Sequence, residues 1–215
     1  MVTSFGNALV GSSAAGGSPL TAAAVARNRE PILAVLREVL PARGTVLEIA
    51  AGTGEHAIYF ATALPGLTWQ PTDPDPQARA SITAHAEIAG LPNLQPVLEL
   101  DASATAWPVT QADAVVSINM IHIAPWRAAE GLMAGAARIL GPGAPLYLYG
   151  PYRVNGEHTA PSNADFDQTL RSHNSEWGVR DLDDVVALAV ANGFALERTL
   201  AMPANNLSVV FRRNP

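Results

Sequence analysis

The sequence contains neither cysteine nor lysine. Without cysteine there is no disulfide, no thiolate metal ligand and no thiol nucleophile, and nothing marks the redox compartment. The cytoplasm is the default expectation. Without lysine, every basic contact must come from 13 arginines set against 19 acidic residues, a formal charge of −6. Holding a phosphate backbone needs a basic face and counterion release, so nucleic acid is not an expected partner. Charged residues make up 15% of the chain, against roughly 25% in ordinary soluble domains. No apolar run reaches the roughly 18 residues that cross a bilayer, so no membrane partner is expected. The five histidines show no HExxH spacing, and no metal is expected. A Gly-x-Ser-x-Gly elbow is also missing, which excludes the usual serine hydrolase.

What is present is core material: 48% of the 215 residues are hydrophobic, and this length suits one domain. Residues 1–18, rich in Gly, Ser and Ala, lack the basic start and continuous apolar stretch of a secretion signal. They read as a flexible leader before a single domain over 19–215.

Ile32, Leu33, Leu36, Val39 and Leu40 lie on one helical face behind Pro31, with a further helical stretch over 21–30 kinked at that proline. Strands are predicted over 45–50, 67–72, 93–102, 112–123 and 144–150, alternating with helices over 55–64, 76–90 and 125–140. Such alternation implies right-handed crossovers and a parallel sheet covered on both faces. A long polar stretch then runs over 151–178, followed by a helix over 181–193. Two strands over 194–202 and 207–213, joined by the turn Pro203-Ala204-Asn205-Asn206, close the chain.

Ligand chemistry concentrates after the first strand. The turn Ala50-Ala51-Gly52-Thr53-Gly54 stands between strand and helix, where glycines admit a ligand close to the backbone and free amides face it. Asp73 ends the second strand, nineteen residues past Gly54, where its carboxylate can accept from both hydroxyls of an adenosine ribose. This spacing also fits NAD. Glu48 distinguishes the two, because an acid buried in the first strand makes more sense near a ligand carrying positive charge. S-adenosylmethionine carries a sulfonium and an ammonium and has no pyrophosphate.

These residues, ExAxGTG followed by Asp73 and by Leu100-Asp101-Ala102 with a terminal hairpin, resemble the class I S-adenosylmethionine-dependent methyltransferases. More narrowly, RNREPIL, ExAxGTGEH, NMIHIAPW, HTAPSN and PANNLSVVFRR are similar to an uncharacterised methyltransferase-like family. The resemblance covers about residues 20–213. It implies a Rossmann-like α/β fold with a seven-stranded, mostly parallel sheet of order 3-2-1-4-5-7-6, strand seven antiparallel. It further implies that Glu48 and the turn Ala50, Ala51, Gly52 and Gly54 hold the methionine part, Asp73 the ribose, and Asp101 with Ala102 the adenine. Ala50 departs from the broad class, which usually has glycine there.

In that architecture Asn119 and His122 lie beside the methyl donor. His122 is the candidate proton acceptor, its ordinary pKa near 6.5 suiting a base at neutral pH; the alternative is a structural histidine. Asn119 orients the substrate or holds the methionine carboxylate. Arg27 and Asn28 either fold over that carboxylate or lie on the surface. The polar stretch reads as a lid over the substrate pocket or a surface excursion, with Tyr152, His158, Ser162, Asn163 and Arg180 as substrate contacts. Asn205 either forms its turn or lines the pocket. The expected reaction is methyl transfer to an oxygen or nitrogen of a small molecule, leaving S-adenosylhomocysteine. A non-catalytic adenosine-ligand binder is the alternative on the same fold. An NAD-dependent oxidoreductase, lacking any Tyr-x-x-x-Lys pair, is a further one. Nothing in the sequence sets an oligomeric state.

Overall fold

The computed structural model describes residues 19–215. The leader expected over 1–18 lies outside the described residues. Helix α1 (Ala23–Val39) runs through Pro31 without a break and buries Ile32, Leu33, Leu36 and Val39. Then follow β1 (Gly44–Ile49), α2 (Glu55–Ala63), β2 (Leu67–Pro71), α3 (Pro76–Ala89), β3 (Ala114–Ile118), α4 (Trp126–Ile139) and β4 (Pro145–Pro151). The two-residue strands β5 (Arg153–Val154) and β6 (Glu157–His158) precede α5 (Pro161–His173) and α6 (Leu182–Ala191). Strands β7 (Phe194–Met202) and β8 (Asn206–Arg213) close the fold.

The main sheet has the order β2-β1-β3-β4-β8-β7. Pairs β1–β2, β1–β3 and β3–β4 are parallel, whereas β8 is antiparallel to both β4 and β7. This is the α/β arrangement the sequence predicts, with six strands in place of seven. The missing one is the strand expected over 93–102. That segment runs along the free edge of β2, but pairs with it only through isolated bridges at Leu94 and Leu98. Pro96 lies between them and has no N–H to give a ladder.

Side-chain alternation along the strands builds two cores, one on each face. Leu47, Ile49, Val115, Leu146 and Leu148 pack with α4 and α6. Val46, Val116, Ile118, Tyr147 and Val210 pack with α1 and α2.

The polar stretch after β4 is not a loop. Asn155 and Gly156, with φ of 53° and 80°, turn the β5–β6 hairpin, as Asn-Gly turns favour. Pro161 opens α5, whose Phe166 and Leu170 join Trp177 and Val179 in a third apolar cluster. Among the described residues no helix is long and apolar enough to cross a membrane.

Candidate functional site

The carboxyl ends of β1, β2 and β3 open onto one edge of the sheet, where ligands of open α/β folds sit. Ala50 leaves β1 in the left-handed region (φ 57°), and Gly52 (φ 59°) and Gly54 (φ 90°) complete the turn. These two glycines differ in what they permit. A Cβ on Gly54 would lie 2.9 Å from the Ile82 Cα, so glycine there lets α2 start against α3. A Cβ on Gly52 would meet no heavy atom within 4 Å. That open space over a bare backbone is a cradle for a ligand.

The turn is tied to the end of β2 by two bonds. The Ala51 amide donates to the Thr72 carbonyl at 2.9 Å, and the Gly52 amide donates to Asp73 Oδ2 at 2.9 Å. Asp73 Oδ1 accepts from the Asp75 amide at 2.9 Å. Burial raises the Asp73 carboxyl to a pKa of about 6, with these amide bonds pulling the other way. Each oxygen keeps a second lone pair.

The far wall of the crevice is formed by Asp101 and Ala102, which line one pocket with Ile49, Ala50, Pro74 and Met120. Asp101 Oδ1 accepts from the Ser103 amide at 2.8 Å and the Ser103 hydroxyl at 2.7 Å. Among the described residues Oδ2 has no partner. Ile49, Pro74 and Ser103 were not singled out in the sequence; Asp101-x-Ser103 is an Asx-turn signal that could have marked the last.

Glu48 is placed differently from the turn beside it. Its carboxyl is buried on the α1/α2 side of β1 and accepts from Trp69 Nε1 at 2.7 Å. Burial raises its pKa to about 8, against the indole bond and with help from the nearby Asp73 charge. Asn28 is buried with its Oδ1 2.8 Å from His56 Nε2 at the start of α2. Arg27, one residue earlier, is exposed on α1.

Beyond β3 the chain turns sharply at Asn119 (φ 62°), and Met120–His122 form one turn of 3-10 helix in place of further strand. The Asn119 amide donates to the Tyr149 carbonyl at 2.7 Å. His122 is fully buried, accepts from the Arg180 amide at Nδ1 (3.2 Å) and packs edge-on against Tyr152, ring centres 4.9 Å apart. With Nδ1 accepting, the neutral ring carries its proton on Nε2. That Nε2 and the Tyr152 hydroxyl are both buried without a hydrogen-bond partner. A Cβ on Gly150 would lie 2.5 Å from Nε2 and 3.2 Å from Asn119 Oδ1, so glycine at 150 admits both side chains. Burial, then the Arg180 charge, lowers the His122 pKa to about 3. Desolvation thus favours the uncharged form of this ring.

The remaining predicted contacts fall into separate groups. Asn163 Nδ2 donates to the Asn205 carbonyl at 2.9 Å, and Asn205 Nδ2 to Ser162 Oγ at 3.3 Å, which docks α5 on the turn between β7 and β8. His158 Nε2 lies 3.7 Å from Asp167 Oδ2. Arg180 donates to the carbonyls of Ile121, Ala124 and Glu176, fastening the segment after β3. The structure thus brings Asn119, His122, Tyr152 and Arg180 together, and Ser162, Asn163 and Asn205 together.

A family model described as "Protein of unknown function (DUF938)" matches residues 20–213. Among solved structures, an O-methyltransferase family protein from Burkholderia thailandensis is 19% identical, with a TM-score of 0.74 over 86% of this chain and 56% of its own. The mitomycin 7-O-methyltransferase is also 19% identical, with a TM-score of 0.76 over 89% of this chain and 55% of its own. A methyltransferase of calicheamicin biosynthesis, in its SAH-bound form, is 18% identical, with a TM-score of 0.70 over 86% and 54%. The chain spans little more than half the length of these proteins. At such identity the likeness is one of fold, and the fold is that of the methyltransferases.

Proposed function

The chain belongs to the DUF938 family, and from that premise we propose that it is an S-adenosylmethionine-dependent methyltransferase acting on an oxygen or nitrogen of a small molecule. The observation that carries this reading is the crevice itself: an open cradle at Gly52, joined through its amide to Asp73 and faced by Asp101 and Ala102. Its carboxylates suit the hydroxyls and amine of an adenosine and a positively charged chain.

In this reading Asp73 accepts from the ribose hydroxyls, Asp101 through its free oxygen takes the adenine amine, and Ala102 packs on the ring edge. The turn Ala50, Ala51, Gly52 and Gly54 lies along the methionine part, with Glu48 beneath it and Arg27 and Asn28 on α1 beside it. When bound, the cofactor supplies a methyl group already activated on sulfur. The protein therefore contributes by holding, orienting and excluding water. Asn119 orients the acceptor, and His122 is the candidate to take its proton where the attacking atom carries one. Tyr152, His158, Ser162, Asn163, Arg180 and Asn205 belong to the elements that close over the acceptor. The cytoplasm is the compartment of this reading.

One observation favours a second reading. The enclosed His122, its pKa lowered to about 3, is a weak base, which suits a protein that binds an adenosine ligand without turnover. Calorimetric titration of S-adenosylmethionine, S-adenosylhomocysteine and NAD into the wild type and Asp73→Ala tests the assignment. Micromolar binding of the first two, weakened about tenfold or more in the variant, supports it; binding of NAD alone, or of none, overturns it. Turnover on an acceptor panel then separates the two readings.

A further inference from the structure

On the other side of the segment after β3, a cleft of about 410 Å³ opens between the β5–β6 hairpin, α5 and α6. Three of its lining residues are arginines, Arg153, Arg171 and Arg180, in a chain whose net charge is negative. Backbone pairing fixes two of them, since the Arg153 amide donates to the Arg180 carbonyl at 2.9 Å and Arg153 bridges to Asp181.

The acids around these guanidiniums are largely committed. Asp167 pairs with Arg171 at 2.8 Å and accepts from the Val179 amide. Asp181 accepts from the amides of Gly156 and Asp183 at 2.7 and 3.0 Å, capping α6. Asp184 is exposed on the first turn of α6. Among the described residues neither Arg153 nor Arg180 has a carboxylate within 4 Å. The hydrogen bonds of Arg180 all go to carbonyls, and the buried Arg153 Nε has no partner. The three cations also act on one another: the Arg180 pKa is lowered by burial first and then by the charges of Arg171 and Arg153, with the Asp167 charge opposing them. A cluster of guanidiniums held together without enough counter-charge is matched by an oxyanion, which accepts several N–H bonds at once.

We propose that this cleft is a binding site for the phosphate or carboxylate group of a small acidic molecule, with Arg153 and Arg180 as its principal donors and Arg171 at its rim. Trp126, over whose ring Arg180 lies at 5.6 Å, lines the same cleft.

The test follows the arginine side-chain Nε–H resonances by NMR during titration with inorganic phosphate or malonate, chloride being added at matched ionic strength as the control. Saturable shifts of the Arg153 and Arg180 signals are expected, with a Kd at or below about 10 mM. Among the described residues the Arg153 side chain makes no hydrogen bond, so the Arg153→Gln variant should weaken binding about fivefold or more without loss of a native contact, and Asp184→Asn should tighten it. Preference between the two anions identifies the ligand's acidic group. No saturation with either, shifts equal to those in chloride, or an affinity unchanged in Arg153→Gln would overturn the proposal. The S-adenosylmethionine titration reads other residues, so either assignment can fail alone.

Discussion

The Gly52 amide and the Asp73 carboxylate meet at 2.9 Å, so that the turn after β1 and the end of β2 form one unit. Asp73 must therefore matter both for the shape of the turn and for any ligand above it. The Asp73→Asn variant, which keeps an acceptor oxygen, separates these roles. With the wild-type carboxyl at a pKa of about 6, S-adenosylmethionine affinity should drop about tenfold at pH 5 relative to the fully ionised form. Affinity of Asp73→Asn should be weaker and flat over the same range. Calorimetry at pH 5, 6 and 7.5 checks both; an equal decline in the two proteins would remove Asp73 as the cause.

Glu48 carries a stability prediction. Its folded pKa of about 8 stands above the ordinary 4.5, so the folded state binds the proton more tightly than the unfolded one. Its contribution is full below 4.5 and disappears as pH rises through 8. His56 and His122, lowered to about 4 and about 3, act in the opposite sense; their effects are half complete at pH 6.5, where the unfolded imidazoles titrate, and complete by about pH 7.5. Asp73, at about 6, has also finished titrating by pH 7.5. Between pH 7.5 and 9 Glu48 thus acts alone among the shifted groups, and the ligand-free protein should lose about 1 kcal/mol there. Glu48→Gln keeps an acceptor for Trp69 and should abolish that slope in urea midpoints; a slope that persists would mean Glu48 is already ionised.

Ala50 occupies the left-handed region at φ 57°, where a Cβ costs about 1–2 kcal/mol. Glycine removes that cost but adds freedom to the unfolded chain. Ala50→Gly should therefore stabilise the protein modestly, by about 0.5–1 kcal/mol, with ligand affinity unchanged. Chemical denaturation reads the first and calorimetry the second.

The His122 ring should stay uncharged across physiological pH. Imidazole resonances in nitrogen-15 NMR spectra are expected to remain those of the neutral Nε2–H tautomer from pH 5 to 8. A titration near 6.5 would contradict the lowering by burial.

Much of this could be read from residue order alone. The glycine turn and the position of Asp73 were legible because a strand, a special backbone and a polar side chain coincide at fixed intervals; the parallel sheet followed from the βα alternation, whereas the strand order and the place of Asp101 came from the family resemblance. Other features were not. The apolar run Ile118 to Ile123 reads equally as strand or as helical turn, and only the left-handed Asn119 ends the strand there. Pro96 was a visible reason to doubt a regular strand over 93–102. Asn155-Gly156 likewise announced a hairpin inside a stretch whose polarity suggested a loop. The pKa of His122 was out of reach, since it depends on burial by Tyr152 and by the Arg180 segment, 30 and 58 residues away in sequence.

The position of β8 has a consequence for assembly. It enters the sheet between β4 and β7, pairing with β4 from Pro145↔Arg212 to Pro151↔Asn206. Until residues 206–213 are available, β4 presents an open edge bearing Leu146, Tyr147, Leu148 and Tyr149, the kind of edge that invites pairing with another chain. The β7–β8 hairpin is local and can form early, whereas its docking onto β4 must span the whole of α5 and α6. A nascent chain therefore carries β4 with one edge unpaired while those two helices are being made, and the sheet can close only once β8 has emerged.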